Sequence, residues 1–244
     1  MMLSRLLDFL FPRTCVVCDT RLAMGEQYVC PRCLMSLPLE SMSTDWELNR
    51  HVFQWRSEHP ALCRMAALCI YQRENAAAHL VHALKFERNL EQGIWMGRLA
   101  AKKLKGSGLF DGVDALVPLP LSRRRQHHRG FNQAEAIARG LSLETGIPLR
   151  TDLLLRNADR ESQTHFRLAD RFRNGRDLFA LADGAEAEGL HLMLVDDVLT
   201  TGATMMSAVG VLEQFPDIRI STFSWAWVNM STEVWAHARR ESET

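Results

Sequence analysis

The stretch His191-Leu-Met-Leu-Val195, followed at once by Asp196-Asp197-Val-Leu-Thr200-Thr201-Gly202-Ala203-Thr204, decides how this chain is read. A short continuous apolar run is what a strand buried on both faces of a parallel sheet requires, and the residues after Ala203 read as a helix. Between them lies a turn of small hydroxyl side chains and a glycine, which leaves backbone N–H groups free at a helix N-terminus. Those donors and the positive end of the helix dipole attract an anion. Thr200, Thr201 and Thr204 add hydroxyl donors, and Gly202 lets the backbone approach closely. The Asp196 and Asp197 carboxylates do a different job: they repel phosphate, and instead accept hydrogen bonds from sugar hydroxyls or help hold a divalent metal. Diol and phosphate together suggest a ribose 5-phosphate. The bland alternative is a capped helix with ordinary turn threonines, although a cap needs one such residue rather than this ordered set.

Working outward, the pattern from about residue 64 alternates strand and helix, the signature of an open, mostly parallel α/β sheet with flanking helices. Strands are expected over 64–72, 114–117, 152–155, 191–195 and 218–228, and helices over 74–86, 90–104, 131–145 and from Ala203 to 215. Gly106-Ser-Gly108 precedes a strand and is a loop, not a dinucleotide fingerprint. Pro118-Leu-Pro120 ends a strand in a rigid turn, which by strand-end logic lies beside the same crevice as the Asp196 turn. The basic run from Arg123 to Arg129, leading into Gly130-Phe131-Asn132-Gln133, opens a helix. It suits a diphosphate, since several guanidinium forks can neutralise adjacent phosphoryl groups; a solvated loop is the competing reading. The polar stretch 156–174, with Gln163, Arg167, Arg171, Arg173 and Asn174, reads as a lid. Lys85 ends a helix, where the dipole alone favours a cation; a functional role is the lesser reading.

The N-terminal region carries different chemistry. Cys15-Val-Val-Cys18 and Cys30-Pro-Arg-Cys33 are two C-x2-C pairs, close enough to fold back as paired knuckles around one tetrahedral Zn²⁺. Gly25 suits a turn, and Tyr28 and Val29 suit a short strand of a zinc ribbon. So few residues bury too little to fold alone, so the metal supplies their folding energy. A metal-free reduced set or a redox pair is the alternative. Cys63 and Cys69 lie in or beside an apolar run and read as core residues rather than extra ligands. Residues 1–11 read as a short amphipathic helix with Leu3, Leu6, Leu7 and Leu10 on one face. The expected organisation is 1–38 for helix and zinc-ribbon module, 39–60 for a polar connector whose Trp46 and Trp55 pack back onto the body, and 61–244 for the α/β domain.

Composition bounds the function. With 244 residues, 47% hydrophobic and 24% charged, the chain can fill a doubly wound sheet plus a small module. A formal net charge of +0 gives no global pull toward nucleic acid or anionic membrane, so any such contact is local. No segment reaches the roughly 18 to 20 apolar residues of a membrane span, and a cytoplasmic location is expected.

The order strand, acidic pair, Thr-Thr-Gly-x-Thr, helix resembles the phosphoribosyl pyrophosphate (PRPP) motif of type I phosphoribosyltransferases. The paired C-x2-C motifs, His82-Ala-Leu-Lys85-Phe86, Val117-Pro-Leu-Pro-Leu121 and Arg129-Gly-Phe-Asn-Gln133 narrow the resemblance, over nearly the whole chain, to the ComF/GntX family. No second zinc motif is visible in the connector, where some relatives carry one. The resemblance implies a type I phosphoribosyltransferase fold behind a zinc ribbon, and a role in natural competence, DNA uptake or use of external DNA as a nutrient. It implies PRPP held by Asp196, Asp197, Thr200, Thr201, Gly202, Ala203, Thr204 and Arg129, with Mg²⁺ bridging diphosphate and ribose oxygens. Asp196 and Asp197 are then also the catalytic pair, stabilising an oxocarbenium-like sugar, and Cys15, Cys18, Cys30 and Cys33 hold structural Zn²⁺. The activity implied is that of a glycosyltransferase whose acceptor the sequence does not identify. A non-catalytic PRPP sensor and a DNA-uptake interaction protein are the alternatives, with single-stranded DNA or uptake proteins as partners.

Overall fold

The computed structural model describes residues 12–39, 50–157 and 178–228, with the backbone alone at 50–53. The expected N-terminal helix over 1–11, Trp46, the lid residues Gln163, Arg167, Arg171, Arg173 and Asn174, and the chain after 228 lie outside the described residues.

Four parallel strands form the sheet: β1 (Leu62–Ile70), β2 (Ala115–Pro118), β5 (His191–Leu199) and β6 (Arg219–Trp227), in the order β1-β6-β5-β2. Beyond β2, Leu149 bridges Leu116 in parallel and extends the ladder by one contact. A separate antiparallel pair, β3 (Leu154–Arg156) and β4 (Phe179–Leu181), stands beside it. The helices are α1 (Pro31–Met35), α2 (Arg50–Glu58), α3 (Ala76–Phe86), α4 (Leu90–Lys103), α5 (Arg123–Arg129), α6 (Gln133–Thr145) and α7 (Ala203–Leu212). An open parallel sheet covered by helices on both faces is the arrangement expected for the phosphoribosyltransferase fold, with the Asp196 strand inside it and the predicted turn at the start of α7.

The core follows from strand alternation, because successive side chains point to opposite faces. Met193 and Val195 join a cluster with Leu80, Leu84, Met96, Ile137 and Trp225. Leu192 and Leu194 join the other, with Met205, Val209, Leu212 and Ile220. On the first face α4 and α6 approach backbone to backbone: a Cβ on Gly97 would lie 2.0 Å from the Ile137 carbonyl oxygen, and one on Gly140 2.1 Å from that of Ile94. At the foot of β5, His191 is buried, its Nδ1 3.0 Å from the Gly112 carbonyl and its Nε2 2.8 Å from Ser221 Oγ.

The structure corrects three boundaries. β5 runs on to Leu199, so both carboxylates lie within the strand rather than after it. The basic run forms its own short helix, because Gly130, at φ +83°, ends α5 in a left-handed turn before α6 begins at Gln133. Tyr28 and Val29 form no strand: Tyr28 sits at φ +57°, a kink that no extended segment contains.

Candidate functional site

At the C-terminal end of β5 the alternation of the strand separates the two carboxylates. Asp197, on the side of Val195, meets α3, and Lys85 Nζ lies 3.1 Å from its Oδ2. Asp196 points the other way and accepts a hydrogen bond from the Asp197 amide on Oδ1 at 2.8 Å. Burial, and then the like charge of Asp197, push the Asp196 carboxyl from 3.8 up to about 7, against the opposing pull of Lys85 and Arg156. Around the acidic pair, therefore, stand cations from three separate elements. Arg129, at the end of α5, feels both carboxylates, although burial still lowers its own pKa. Arg156, at the end of β3, lies with its guanidinium 5.3 Å from the Phe179 ring centre and 3.4 Å from the Pro120 carbonyl.

The turn has the form an anion seat needs. Gly202, at φ +77°, is the N-cap of α7 and offers no side chain to cap it, so of the first helical amides only that of Ala203 finds a nearby side-chain acceptor. Thr201 Oγ1 lies 3.4 Å from the Ala203 amide. Thr200 is exposed, Thr201, Ala203 and Thr204 are half-buried, and Gly202 is buried. The Arg-Gly-Phe-Asn-Gln segment reaches the same end of the sheet by a local logic. Asn132 caps α6 through the Ala134 amide at 3.1 Å and donates to the Leu119 carbonyl at 3.0 Å, tying the helix to the Pro118-Leu-Pro120 turn. Gln133 Oε1 accepts from Arg129 Nη1 at 3.0 Å, which aims that guanidinium. Leu119 in turn donates its amide to the Val195 carbonyl at 3.0 Å, so the proline turn lies beside the strand end that carries Asp196. Arg123, Arg124, His127 and His128 are exposed, so of the basic run it is Arg129 that is tucked toward the carboxylates.

Sequence reasoning undervalued Lys85, read chiefly as a helix-end cation, and gave no role to Arg156 apart from the polar stretch that follows it. It expected Trp55 to pack back onto the body, as it does, but had no signal that its indole lies against Gly202.

Far along the chain, the four cysteines do come together. Their sulfurs all lie within 4.8 Å of one another, with Cys18 Sγ and Cys30 Sγ 3.8 Å apart. A tetrahedron with Zn–S bonds of about 2.3 Å has edges of about 3.8 Å, so the donor set fits zinc. Among the described residues it is the only group of three or more His, Cys, Asp or Glu side chains so gathered. Each knuckle is a hydrogen-bonded turn: Asp19 donates to the Cys15 carbonyl at 2.9 Å, and Leu34 to that of Cys30 at 2.9 Å. Val16 donates to the Tyr28 carbonyl at 2.8 Å and joins the two. The Cys18 thiol is pushed down to about 6 by Thr20, and burial pushes that of Cys33 up to about 12. Tyr28 packs on Trp95 of α4 at 5.6 Å between ring centres, and Pro38 accepts from the Ile70 amide at 3.0 Å, docking the module on the edge of β1. Cys69 is fully buried and Cys63 half-buried, and neither belongs to the cluster.

Comparison with known proteins agrees with the zinc-ribbon half of this picture and places the chain among named relatives. Residues 6–43 match the family described as a double zinc ribbon domain. The competence protein ComFC of Bacillus subtilis is 27% identical over 219 residues, covering 87% of this chain and 83% of that protein. The DNA utilization protein YhgH of Salmonella typhi is 32% identical over 136 residues, covering 54% of this chain and 59% of that protein, less than two thirds of its length. The chain is a homologue of these competence and DNA utilization proteins. The expected resemblance to the ComF/GntX family is borne out. A solved adenine phosphoribosyltransferase is 17% identical with a TM-score of 0.38, covering 64% of this chain and 78% of that one, a slight likeness. No helix among the described residues is long and apolar enough to cross a membrane.

Proposed function

We propose that the crevice at the end of β5 binds PRPP together with Mg²⁺ and that the chain is a phosphoribosyltransferase-domain protein of DNA uptake or DNA utilization, working in the cytoplasm. One observation carries this reading: an uncapped helix start and a carboxylate couple share one strand end and are ringed by Lys85, Arg129 and Arg156. Such a site has acceptors for a diol, donors for a 5-phosphate and cations for a diphosphate, which are the parts of PRPP. Thr200 to Thr204 seat the 5-phosphate, Asp196 and Asp197 hold the ribose hydroxyls, and Arg129 steadies the diphosphate.

The donor set also bears on the metal. With Asp197 paired to Lys85 and Asp196 half-protonated near neutrality, two carboxylates alone make a poor cage. They suit an ion that arrives on the ligand's phosphate oxygens, which is how Mg²⁺ is usually held. When bound, it would neutralise diphosphate charge. Zinc at Cys15, Cys18, Cys30 and Cys33 is structural in the same reading, and the domain division at 38 and 60 is part of it.

Calorimetry with PRPP and Mg²⁺ tests the binding. Wild type should bind, and the Asp196→Asn, Asp197→Asn double variant should lose at least tenfold in affinity, about 1.4 kcal/mol; equal affinity for both removes the carboxylate role. Pyrophosphate release across a panel of bases then separates an enzyme from a PRPP sensor. For the relatives' link to DNA, salt-dependent capture of single-stranded DNA is the corresponding measurement.

A further inference from the structure

Gly202 occupies the pivotal place in the turn, and what surrounds it comes from a distant part of the chain. A Cβ built on Gly202 would lie 2.2 Å from Trp55 Cζ2, 2.6 Å from Cη2 and 2.9 Å from Cε2. The indole of α2 thus fills the space directly over the glycine backbone, closer than any side chain at 202 would allow. This glycine is held at φ +77° as the N-cap of α7 without a side-chain cap bond. A glycine so placed has more conformational freedom to lose than any other residue, and the Ala203 amide's long bond to Thr201 Oγ1, at 3.4 Å, is the one local side-chain hold on the start of the helix.

The segment that follows the indole is anchored at the opposite end of α7. His59, one turn after Trp55 and hydrogen-bonded to its carbonyl at 2.8 Å, has its Nδ1 2.8 Å from Glu213 Oε2. The Ala61 amide donates to Glu213 Oε1 at 3.2 Å. Glu213 is the residue that ends α7. One helix therefore carries the turn at its start and the anchor of the Trp55 segment at its end, a closed loop of contacts in which the indole is the member touching the turn.

We propose that Trp55 is a positioning residue for the turn: its ring holds Gly202 in the left-handed conformation that presents the amides of 200–204 as a preformed anion seat. This rests on reading the turn as that seat, but the contact can be tested apart from any ligand. The gain is preorganisation, since a turn already in its bound shape pays less ordering cost when phosphate arrives.

Hydrogen exchange of the full-length, zinc-loaded protein without ligand is the first measurement. In Trp55→Ala the hydrogen-bonded amides of the turn, Ala203 to Thr201 Oγ1 and Met206 to the Gly202 carbonyl at 2.8 Å, should exchange on the order of tenfold faster, with those of 192–195 in β5 and of mid-α7 unchanged; Trp55→Phe, which keeps a flat ring, should show a smaller shift of the same kind. Unchanged exchange in the turn overturns the proposal, and so does an equal rise across β5 and α7, which is general loosening. If Trp55→Ala does not fold, the Phe variant decides by the same local-against-global criterion. Calorimetry with PRPP and Mg²⁺ on the folded variants is the second measurement, with a drop in affinity on the order of tenfold expected for Ala and less for Phe. A wild type that binds no PRPP sinks the ligand reading while the exchange result still decides the role of Trp55. A wild type that binds, with Trp55→Ala binding equally well despite a loosened turn, overturns positioning for binding.

Discussion

The cysteine knuckles and the end of β5 are both places where like-charged or acidic groups crowd together, yet they solve the crowding in opposite ways. In the knuckles the sulfurs face one another within 4.8 Å and little else holds the segment: among 12–39 only Cys15, Leu22, Val29, Cys30, Cys33 and Leu37 are buried. At β5 the carboxylates stand on a sheet whose two faces are closed by large apolar clusters, and protein cations already offset them. The first region takes its shape from its ligand. The second takes its shape from the apolar core beneath it.

Zinc removal breaks this comparison most directly, and its effect is the largest. Structural zinc in small modules contributes on the order of 10 kcal/mol, far more than six buried side chains return after chain entropy. Chelation, or Cys30→Ser, should unfold 12–39 and release the Ile70 amide from Pro38, while β5, β6 and α7 keep their protection. Hydrogen exchange on the chelated protein reads both regions at once. If 12–39 stays protected without metal, the module supports itself and the contrast is lost.

That contrast also explains what the sequence revealed. Cysteine spacing and the strand-to-helix passage through Thr200 and Gly202 are local patterns, and local patterns survive into the fold. Even there, propensity misled once: Tyr28 and Val29 favour strands, but a knuckle that returns the Tyr28 carbonyl to Val16 at 2.8 Å requires φ +57° at Tyr28. The basic run reads in sequence as the opening of one helix, whereas the left-handed turn at Gly130, φ +83°, splits it into two. Lys85 facing Asp197 and Trp55 over Gly202 join residues more than a hundred positions apart, and Arg156 near Asp196 joins residues about forty apart, on either side of β4. No period or motif within a short window carries such contacts.

The carboxylate couple gives the next largest effect, with its sign set by Asp196. Its carboxyl is raised from 3.8 to about 7, so in that interval the folded protein holds a proton that the unfolded chain gives up. Stability therefore falls as pH rises through the interval, and the whole penalty is present above it. Asp196→Asn should be more stable than wild type above pH 7 by about 1–2 kcal/mol, an allowance for sharing of the shift with Asp197, and should lose that advantage toward pH 4. Denaturant melts across pH measure this. A variant that is both less stable at high pH and unable to bind PRPP would mean the carboxylate supports the fold, and the site would then resemble the knuckles after all.

The smallest effect sits at the other end of the same strand. His191 is kept below its ordinary 6.5 by burial first and then by Arg219 and Arg64. Neutral, it can donate from Nδ1 to the Gly112 carbonyl and accept at Nε2 from the Ser221 hydroxyl, which satisfies both ring nitrogens. Protonation would leave Nε2–H facing a hydroxyl that must reverse, inside the core. Here the folded protein binds fewer protons than the unfolded chain, so this contribution is complete above pH 6.5 and is lost as pH falls below it. Over the interval where Asp196 makes stability fall with rising pH, His191 makes it rise, and in wild type the two slopes oppose each other. Asp196→Asn should unmask the histidine as a rising slope below pH 6.5, and His191→Gln in that background should flatten it. A slope that persists without the imidazole would assign it to groups outside β5, and the sheet's indifference to its own ligand would have to be argued from the zinc experiment alone.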